Sequence, residues 1–177
     1  DRVERRFRRH ALAEPVVLLS VGRAVEKKGY DVLLQALSML PPELSWRLVH
    51  IGGGALSKDL KKMAQSLNID KKIEWMGAQS QQVVIAKYEI SDLFVLASLV
   101  AKDGDRDGLP NVLMEAQSQG LACLSTGVSA VPELIENDVT GVLVEPGQID
   151  ALNIALEHLI TNPYMRERLG KAGETRV

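Results

Sequence analysis

A doubly wound α/β domain, with about six parallel strands and helices on both faces, is predicted by three features of the sequence. Short apolar runs alternate along the chain with longer stretches whose apolar residues recur every three or four positions, so strands and helices take turns. The short runs are apolar throughout rather than at every second residue, as expected for strands covered on both faces. Glycine or proline stands at most of the junctions.

Taken in order, Val16-Val-Leu-Leu-Ser-Val21 is the first buried strand and ends at Gly22. A charged loop to Gly29 leads into a helix from Tyr30 to Leu40, with Val32, Leu33, Ala36, Leu37 and Leu40 inward and Pro41-Pro42 as its stop. Trp46 to Ile51 is the second strand, Gly52-Gly-Gly54 turns, and Leu56 to Leu67 is a helix with Leu60, Met63, Ala64 and Leu67 inward. Ile73 to Met76 is the third strand, and Ser80 caps a helix running through Tyr88. Asp92 to Ala97 is the fourth. After an acidic loop, a helix starts near Leu109 or Pro110, where Gly108 supplies turn freedom and Pro110 suits the first helical position. Gly120 ends it, Ala122 to Ser125 is the fifth strand, Pro132 to Glu136 a short helix, and Gly141 to Val144 the sixth strand. Helices over Asp150–Ile160 and Tyr164–Ala172, broken by Asn162-Pro163, complete the chain.

The 177 residues make one domain, large enough to bury about 70% of the surface of its unfolded chain. A net charge of −2 argues against nucleic acid as a partner, and 4% aromatic residues leave no base-stacking platform. No apolar run reaches membrane-spanning length and no secretory signal is visible. The single cysteine, Cys123, lies in an apolar run, so no internal disulfide forms and a cytoplasmic setting is expected. Arg2, Arg5, Arg6, Arg8 and Arg9 make the N-terminus basic, compatible with an anionic membrane surface or with a solvated connecting segment. The start at Asp1, without Met, suggests that something preceded it.

In a parallel α/β sheet, ligands bind at the carboxyl ends of the strands. The loops there hold Arg23 with Lys28, then Gly52 to Gly54, Gly77, Asp103 to Gly108, and Ser125 to Val131. Arg23 and Lys28 flank a loop entering a helix and offer two cations to a diphosphate, or else form a charged surface loop. In the stretch from Asp107 to Glu115, the first-turn amides and the helix dipole make an anion seat. Helical spacing turns Leu109, Val112, Leu113, Ala116 and Gly120 inward and leaves Asn111, Glu115 and Ser118 on a polar flank. An ordinary amphipathic helix reads the same way. Asp103, Asp105, Asp107 and Gly108 match the opening of a calcium loop, but its twelfth position is Met114. Gly52 to Ser57, with Glu74 near the end of the next strand, partly matches a dinucleotide fingerprint whose last glycine is replaced by Ser57. No P-loop is present. His10, His50 and His158 lack partners at metal-ligand spacing, and His50 reads as a strand residue. The acidic loop from Asp103 to Asp107, with its glycines and no apolar anchor, is expected to move when no ligand is bound.

Five motifs occur together in order: Ser20-Val-Gly-Arg-Ala-Val-Glu-Lys-Lys-Gly-Tyr-Asp-Val-Leu-Leu-Gln-Ala36, His50-Ile-Gly-Gly-Gly54, Asp107-Gly-Leu-Pro-Asn-Val-Leu-Met-Glu-Ala116, Val131-Pro-Glu-Leu-Ile135 and Gly141-Val-Leu-Val144. From about Phe7 to the end, the chain closely resembles the nucleotide-sugar-binding C-terminal half of family 4 (group 1) retaining glycosyltransferases, which have the two-domain GT-B architecture. The resemblance implies that residues 1–13 are an interdomain segment, that 14–177 bind the donor, and that the acceptor-binding N-terminal domain is a separate, absent half. It makes Arg23 and Lys28 the cations for the donor diphosphate, Glu115 the carboxylate for the ribose hydroxyls, and Asp107 the sugar-side carboxylate, where the family usually has Glu. Gly108, Leu109, Pro110, Asn111 and Val112 would present amides to the diphosphate and sugar. Gly22 would lie at the donor loop, and the base near Gly53, Gly54 and the Trp75-Met76-Gly77 corner. It further implies a nucleoside-diphosphate sugar as substrate, no metal or other cofactor, a peripheral membrane contact open to the intact enzyme, and no transfer by this chain alone. Two other readings stand beside it: a dinucleotide-dependent enzyme domain, and a nucleotide-binding module without catalysis, made plausible by Asp107.

Overall fold

The computed structural model describes residues 14–108 and 110–177. Among them, six strands form one parallel sheet: β1 (Val16–Val21), β2 (Trp46–Ile51), β3 (Ile73–Gly77), β4 (Leu93–Leu96), β5 (Ala122–Thr126) and β6 (Val142–Val144). Their order is β3-β2-β1-β4-β5-β6. The chain first winds outward from β1 to β3, then returns to the other side of β1 with β4. Between β1 and β4 the order reverses, and at such a reversal the carboxyl ends of the strands of a parallel α/β sheet form a ligand crevice.

Seven helices are described: α1 (Tyr30–Ser38), α2 (Ser57–Ser66), α3 (Gln81–Ile90), α4 (Asn111–Ser118), α5 (Val131–Leu134), α6 (Ile149–Thr161) and α7 (Pro163–Arg176). Successive strand side chains point to opposite faces, so neighbours enter different cores. Leu18, Leu48, Val95 and Leu124 pack with Leu33 and Leu37 of α1, Leu60 of α2 and Leu156 of α6. Leu19, Val49, Phe94 and Cys123 pack with Tyr88 of α3, Leu113 of α4 and Val131 of α5. A strand apolar at consecutive positions is therefore what a sheet sandwiched between two helical layers requires, and each strand found coincides with an apolar run in the sequence.

The ends of elements follow local chemistry. The Ser80 hydroxyl accepts from the Val83 amide and caps α3. The Asn162 side chain caps α7 in the same way, through Met165 N, with Pro163 in the first turn. Two expectations are corrected. Pro110 is the N-cap of α4, extended at ψ 118°, so the helix begins at Asn111 rather than on the proline. Gly108 does not take a left-handed conformation; the positive-φ glycine of that loop is Gly104, at φ 87°. The expected segment 1–13, its arginines, and Leu109 lie outside the described residues.

Candidate functional site

The site grows from the loop after β1. A 3-10 turn (Glu26–Lys28) ends at Gly29, whose φ of 66° puts it in the left-handed region. A Cβ there would stand 1.9 Å from the Ala97 carbonyl, so only glycine lets the lysine loop come this close to the end of β4. The approach brings together groups far apart in sequence. Lys28 Nζ lies 2.7 Å from Asp107 Oδ2, with both side chains largely buried. Lys27 Nζ is 3.6 Å from Asp107 Oδ1 and 3.5 Å from Asp105, and the Ser98 hydroxyl is 3.4 Å from Asp107 Oδ2.

The acidic loop is anchored just ahead of the stretch that lacks apolar residues. Leu99 N donates to Lys27 O and Lys102 N to a Glu26 carboxylate oxygen, each at 2.9 Å, while Ala101 is buried. Of the carboxylates that suggested a calcium loop, Asp103 accepts from Asp105 N, Asp105 meets Lys27, and Asp107 meets both lysines. Arg23 is exposed, and no carboxylate among the described residues pairs with it. The two proposed diphosphate cations thus differ, Arg23 open to an incoming anion and Lys28 already matched.

Behind this loop the carbonyl of Gly22 is a hub. Tyr30 Oη lies 3.3 Å from it and His50 Nε2 3.1 Å. Burial raises the Tyr30 pKa; the Ser20 hydrogen bond opposes the rise and the charge of Asp107 adds to it, so the hydroxyl stays protonated. Burial lowers the His50 pKa, the Gly22 hydrogen bond opposes that, and Lys61 reinforces it. His50 is neutral at pH 7, and as a donor through Nε2 it satisfies the same carbonyl. Its ring stacks edge-on with Tyr30 at 4.5 Å and with Trp75 at 5.5 Å.

The neighbouring loops complete the rim. Ala24 N donates to Gly53 O and Gly52 N to Gly77 O, so the turns after β1, β2 and β3 are laced side by side. Met76 and Gly77 are half-buried and Gly54 is exposed, leaving a corner beside Trp75. Glu74 does not stand at a strand end. It is the second residue of β3 and pairs with Arg47 at 3.7 Å, three residues short of the position a dinucleotide ribose would need.

On the other side of the crevice, α4 opens with the amides of Asn111 and Val112, which have no preceding helical carbonyl. Asn111 is exposed, Val112 and Glu115 are half-buried, and Leu113 and Ala116 face the core. Gln117, which no periodicity argument had placed inside, is fully buried and donates to Thr140 O. Glu115 is held by the buried Tyr88, whose hydroxyl is 3.0 Å from Oε2. Tyr30, Tyr88 and Ser98 are the residues that sequence reasoning missed. The two tyrosines occupy core positions of amphipathic helices, where the ring accounts for the pattern and the hydroxyl gives no signal. An apolar hollow lies at the β6 edge, between Val142, Ile154, Leu159 and Met165, and shares no residue with these loops. Charged groups mark the site.

Residues 2–176 match the family model described as "Glycosyl transferases group 1". The amylovoran biosynthesis glycosyltransferase AmsK of Erwinia amylovora is 36% identical over 152 residues, which make up 85% of this chain and 37% of that protein. The chain therefore spans well under half the length of this curated relative. Among solved structures, the C-terminal domain of a glycosyl transferase group 1 family protein (LpcC) from Francisella tularensis superposes with a TM-score of 0.81 at 22% identity, covering 100% of this chain and 91% of that one. Anabaena Alr3699/HepE in complex with UDP-glucose superposes with a TM-score of 0.78 at 19% identity, covering 98% of this chain and 47% of that one.

Proposed function

The chain belongs to the group 1 glycosyl transferase family, and from that premise we propose that it is the donor-binding, C-terminal half of a family 4 retaining glycosyltransferase of GT-B architecture, taking a nucleoside-diphosphate sugar as substrate. One observation carries this reading. At the single reversal in strand order, the lysine loop meets Asp107 and the opening of α4, so cations, free amides and two carboxylates surround one crevice. The near-complete match to a C-terminal domain supports reading this chain as the donor half, within which we assign 1–13 to the interdomain segment and 14–177 to donor binding. Anabaena HepE, whose structure holds UDP-glucose, supports the donor class.

In this reading Arg23 and Lys28 bind the diphosphate, and Gly108 to Val112 add amides. Glu115 accepts the ribose hydroxyls and Asp107 the sugar hydroxyls. The base lies against Gly53, Gly54, Met76 and Gly77. When the glycosidic bond breaks, negative charge grows on the departing phosphate oxygen. Two cations and the positive end of α4 act there, so the step needs no metal or cofactor. The acceptor enters from an N-terminal domain, and closure of the two halves excludes water and aligns the reactants. No helix among the described residues is long and apolar enough to cross a membrane. We place the intact enzyme in the cytoplasm, with any membrane contact peripheral.

The dinucleotide alternative is disfavoured by the pairing of Glu74 with Arg47. A thermal-shift panel of UDP, GDP, ADP and NAD tests the choice. A nucleoside diphosphate is expected to raise the melting temperature, with micromolar to millimolar affinity, roughly −8 to −4 kcal/mol; a shift with NAD alone overturns the donor reading. Incubated with its best nucleotide sugar and a mixture of acceptors, this chain is expected to release no diphosphate. Acceptor-dependent release would mean that it is complete as it stands.

A further inference from the structure

We propose that Tyr88 is a positioning residue for the donor, its hydroxyl holding one oxygen of Glu115 so that the other is presented to the ribose diol of a ribonucleoside diphosphate. The inference rests on the donor reading of Glu115 and assigns a role to a residue outside it. Tyr88 Oη lies 3.0 Å from Glu115 Oε2 and 3.2 Å from the Val112 carbonyl. The hydroxyl has one proton for these two acceptors, and the shorter contact to the charged carboxylate takes it. The ring is fully buried and meets Phe94 at 6.0 Å, so the hydroxyl has a fixed address. A glutamate side chain has three rotatable bonds and loses their freedom when it binds a ligand. Anchoring one oxygen beforehand reduces that loss and leaves Oε1, which has no partner among the described residues, to accept from a ligand.

The chemistry of the anchor matters. A lysine or arginine in its place would orient the carboxylate but neutralise it, weakening it as an acceptor. A tyrosine hydroxyl orients it and leaves its charge in place. Burial, then the charge and hydrogen bond of Glu115, push the Tyr88 pKa well above the usual tyrosine range, so the hydroxyl remains a donor. With one lone pair of Oε2 engaged, the carboxylate keeps enough acceptor capacity for two adjacent hydroxyls. The expected consequence is selectivity for ribo- over 2′-deoxyribonucleotides rather than a general gain in affinity.

The test is calorimetric titration of the 177-residue chain with the best binder among UDP, GDP and ADP and with its 2′-deoxy counterpart. Hydrogen bonds to a charged group lead us to expect roughly tenfold preference for the ribonucleotide. Tyr88→Phe, which removes one oxygen and keeps the ring, is expected to cut that ratio about threefold or more and to leave 2′-deoxy affinity within about twofold. Equal losses for both nucleotides, or an unchanged ratio, overturn the proposal. Glu115→Gln separates the two levels. If it abolishes the preference while Tyr88→Phe preserves it, the donor reading stands and the role of Tyr88 falls; if the unmodified chain shows no preference, both fall. Should Tyr88→Phe fail to fold, NMR of the unmodified chain, with tyrosine labelled at the hydroxyl-bearing carbon, reads the same contact among three signals. The Tyr88 signal is expected to shift more with the ribonucleotide than with its 2′-deoxy counterpart, and equal shifts overturn the proposal.

Discussion

Two aspartates flank β4, and their surroundings differ in kind. Asp92, just before the strand, is 5% exposed; its carboxylate accepts from Val17 N at 2.8 Å and its own amide donates to Val17 O at 2.8 Å. Asp107, in the loop that follows β4, is held by the ammonium groups of Lys28 and Lys27. The first carboxylate is paired to backbone in β1, which cannot leave without dismantling the sheet. The second is paired to side chains on flexible stems, which can turn to another anion. The same residue type is therefore part of the frame at one end of β4 and part of an exchangeable charge network at the other.

The sharpest way to break this contrast is to remove a partner at the exchangeable end. Lys28→Ala, and separately Arg23→Ala, should each weaken nucleoside-diphosphate binding about tenfold or more, the loss of a charge-assisted contact of roughly 1.5 to 3 kcal/mol, with the fold intact. Calorimetry decides it, and unchanged affinity in both variants reduces the loop to a solvated surface. At the frame end, Asp92→Ala strands the Val17 amide in the interior and should lower stability by about 1 to 3 kcal/mol in urea unfolding, with nucleotide affinity of the folded fraction unaffected. Asp107→Asn should do the opposite: a greater loss for the sugar-bearing donor than for the bare diphosphate, with a smaller fall in the unfolding midpoint than Asp92→Ala, since the amide oxygen still accepts from Lys28 and the Lys28 stem can turn its ammonium toward water. If Asp107→Asn destabilises the fold as much as Asp92→Ala, the contrast fails.

A finer test concerns the frame beneath the lysine loop. The folded-state pKa of His50 lies below its unfolded value, so the unfolded chain binds the extra proton first. Stability from the neutral ring is then complete above about pH 6.5 and declines as the pH falls below it. His50→Gln, which keeps a donor for the Gly22 carbonyl, should flatten the melting temperature across that acid range. A slope that persists unchanged would assign the acid sensitivity to another group.

Most of this architecture is legible in the sequence because it rests on repeated, additive signals. Each strand is an apolar run, each helix a periodic stripe, and Ser80 and Pro41-Pro42 mark ends by local chemistry. Burial of Leu33, Leu37, Leu60 and Leu113 follows from spacing alone. Contacts between distant loops are not legible in the same way. Nothing in the spacing says that Lys28 faces Asp107, that Lys27 shares it, or that Tyr88 reaches Glu115, because each depends on which strands become neighbours. Glu74 misled for the converse reason: proximity in sequence to a strand end is not position at the end, and Arg47 on the adjacent strand was out of view. The start of α4 slipped by a residue because proline tolerates both the cap and the first turn, a choice its ψ angle makes and its identity does not.

The placement of β1 beside β4 also has a meaning in time. Lys28 and Asp107 are separated by 79 residues, and everything between them is the outward excursion through β2 and β3 and the return. On a ribosome adding about 5 to 20 residues per second, the lysine loop exists for roughly 4 to 16 seconds before its partner has been synthesised. The crevice therefore waits for the whole β1-β2-β3 half of the sheet, and of the strands only β5 and β6 are made after it. A nucleotide spanning it cannot guide the early chain, but it can register that the return journey is complete.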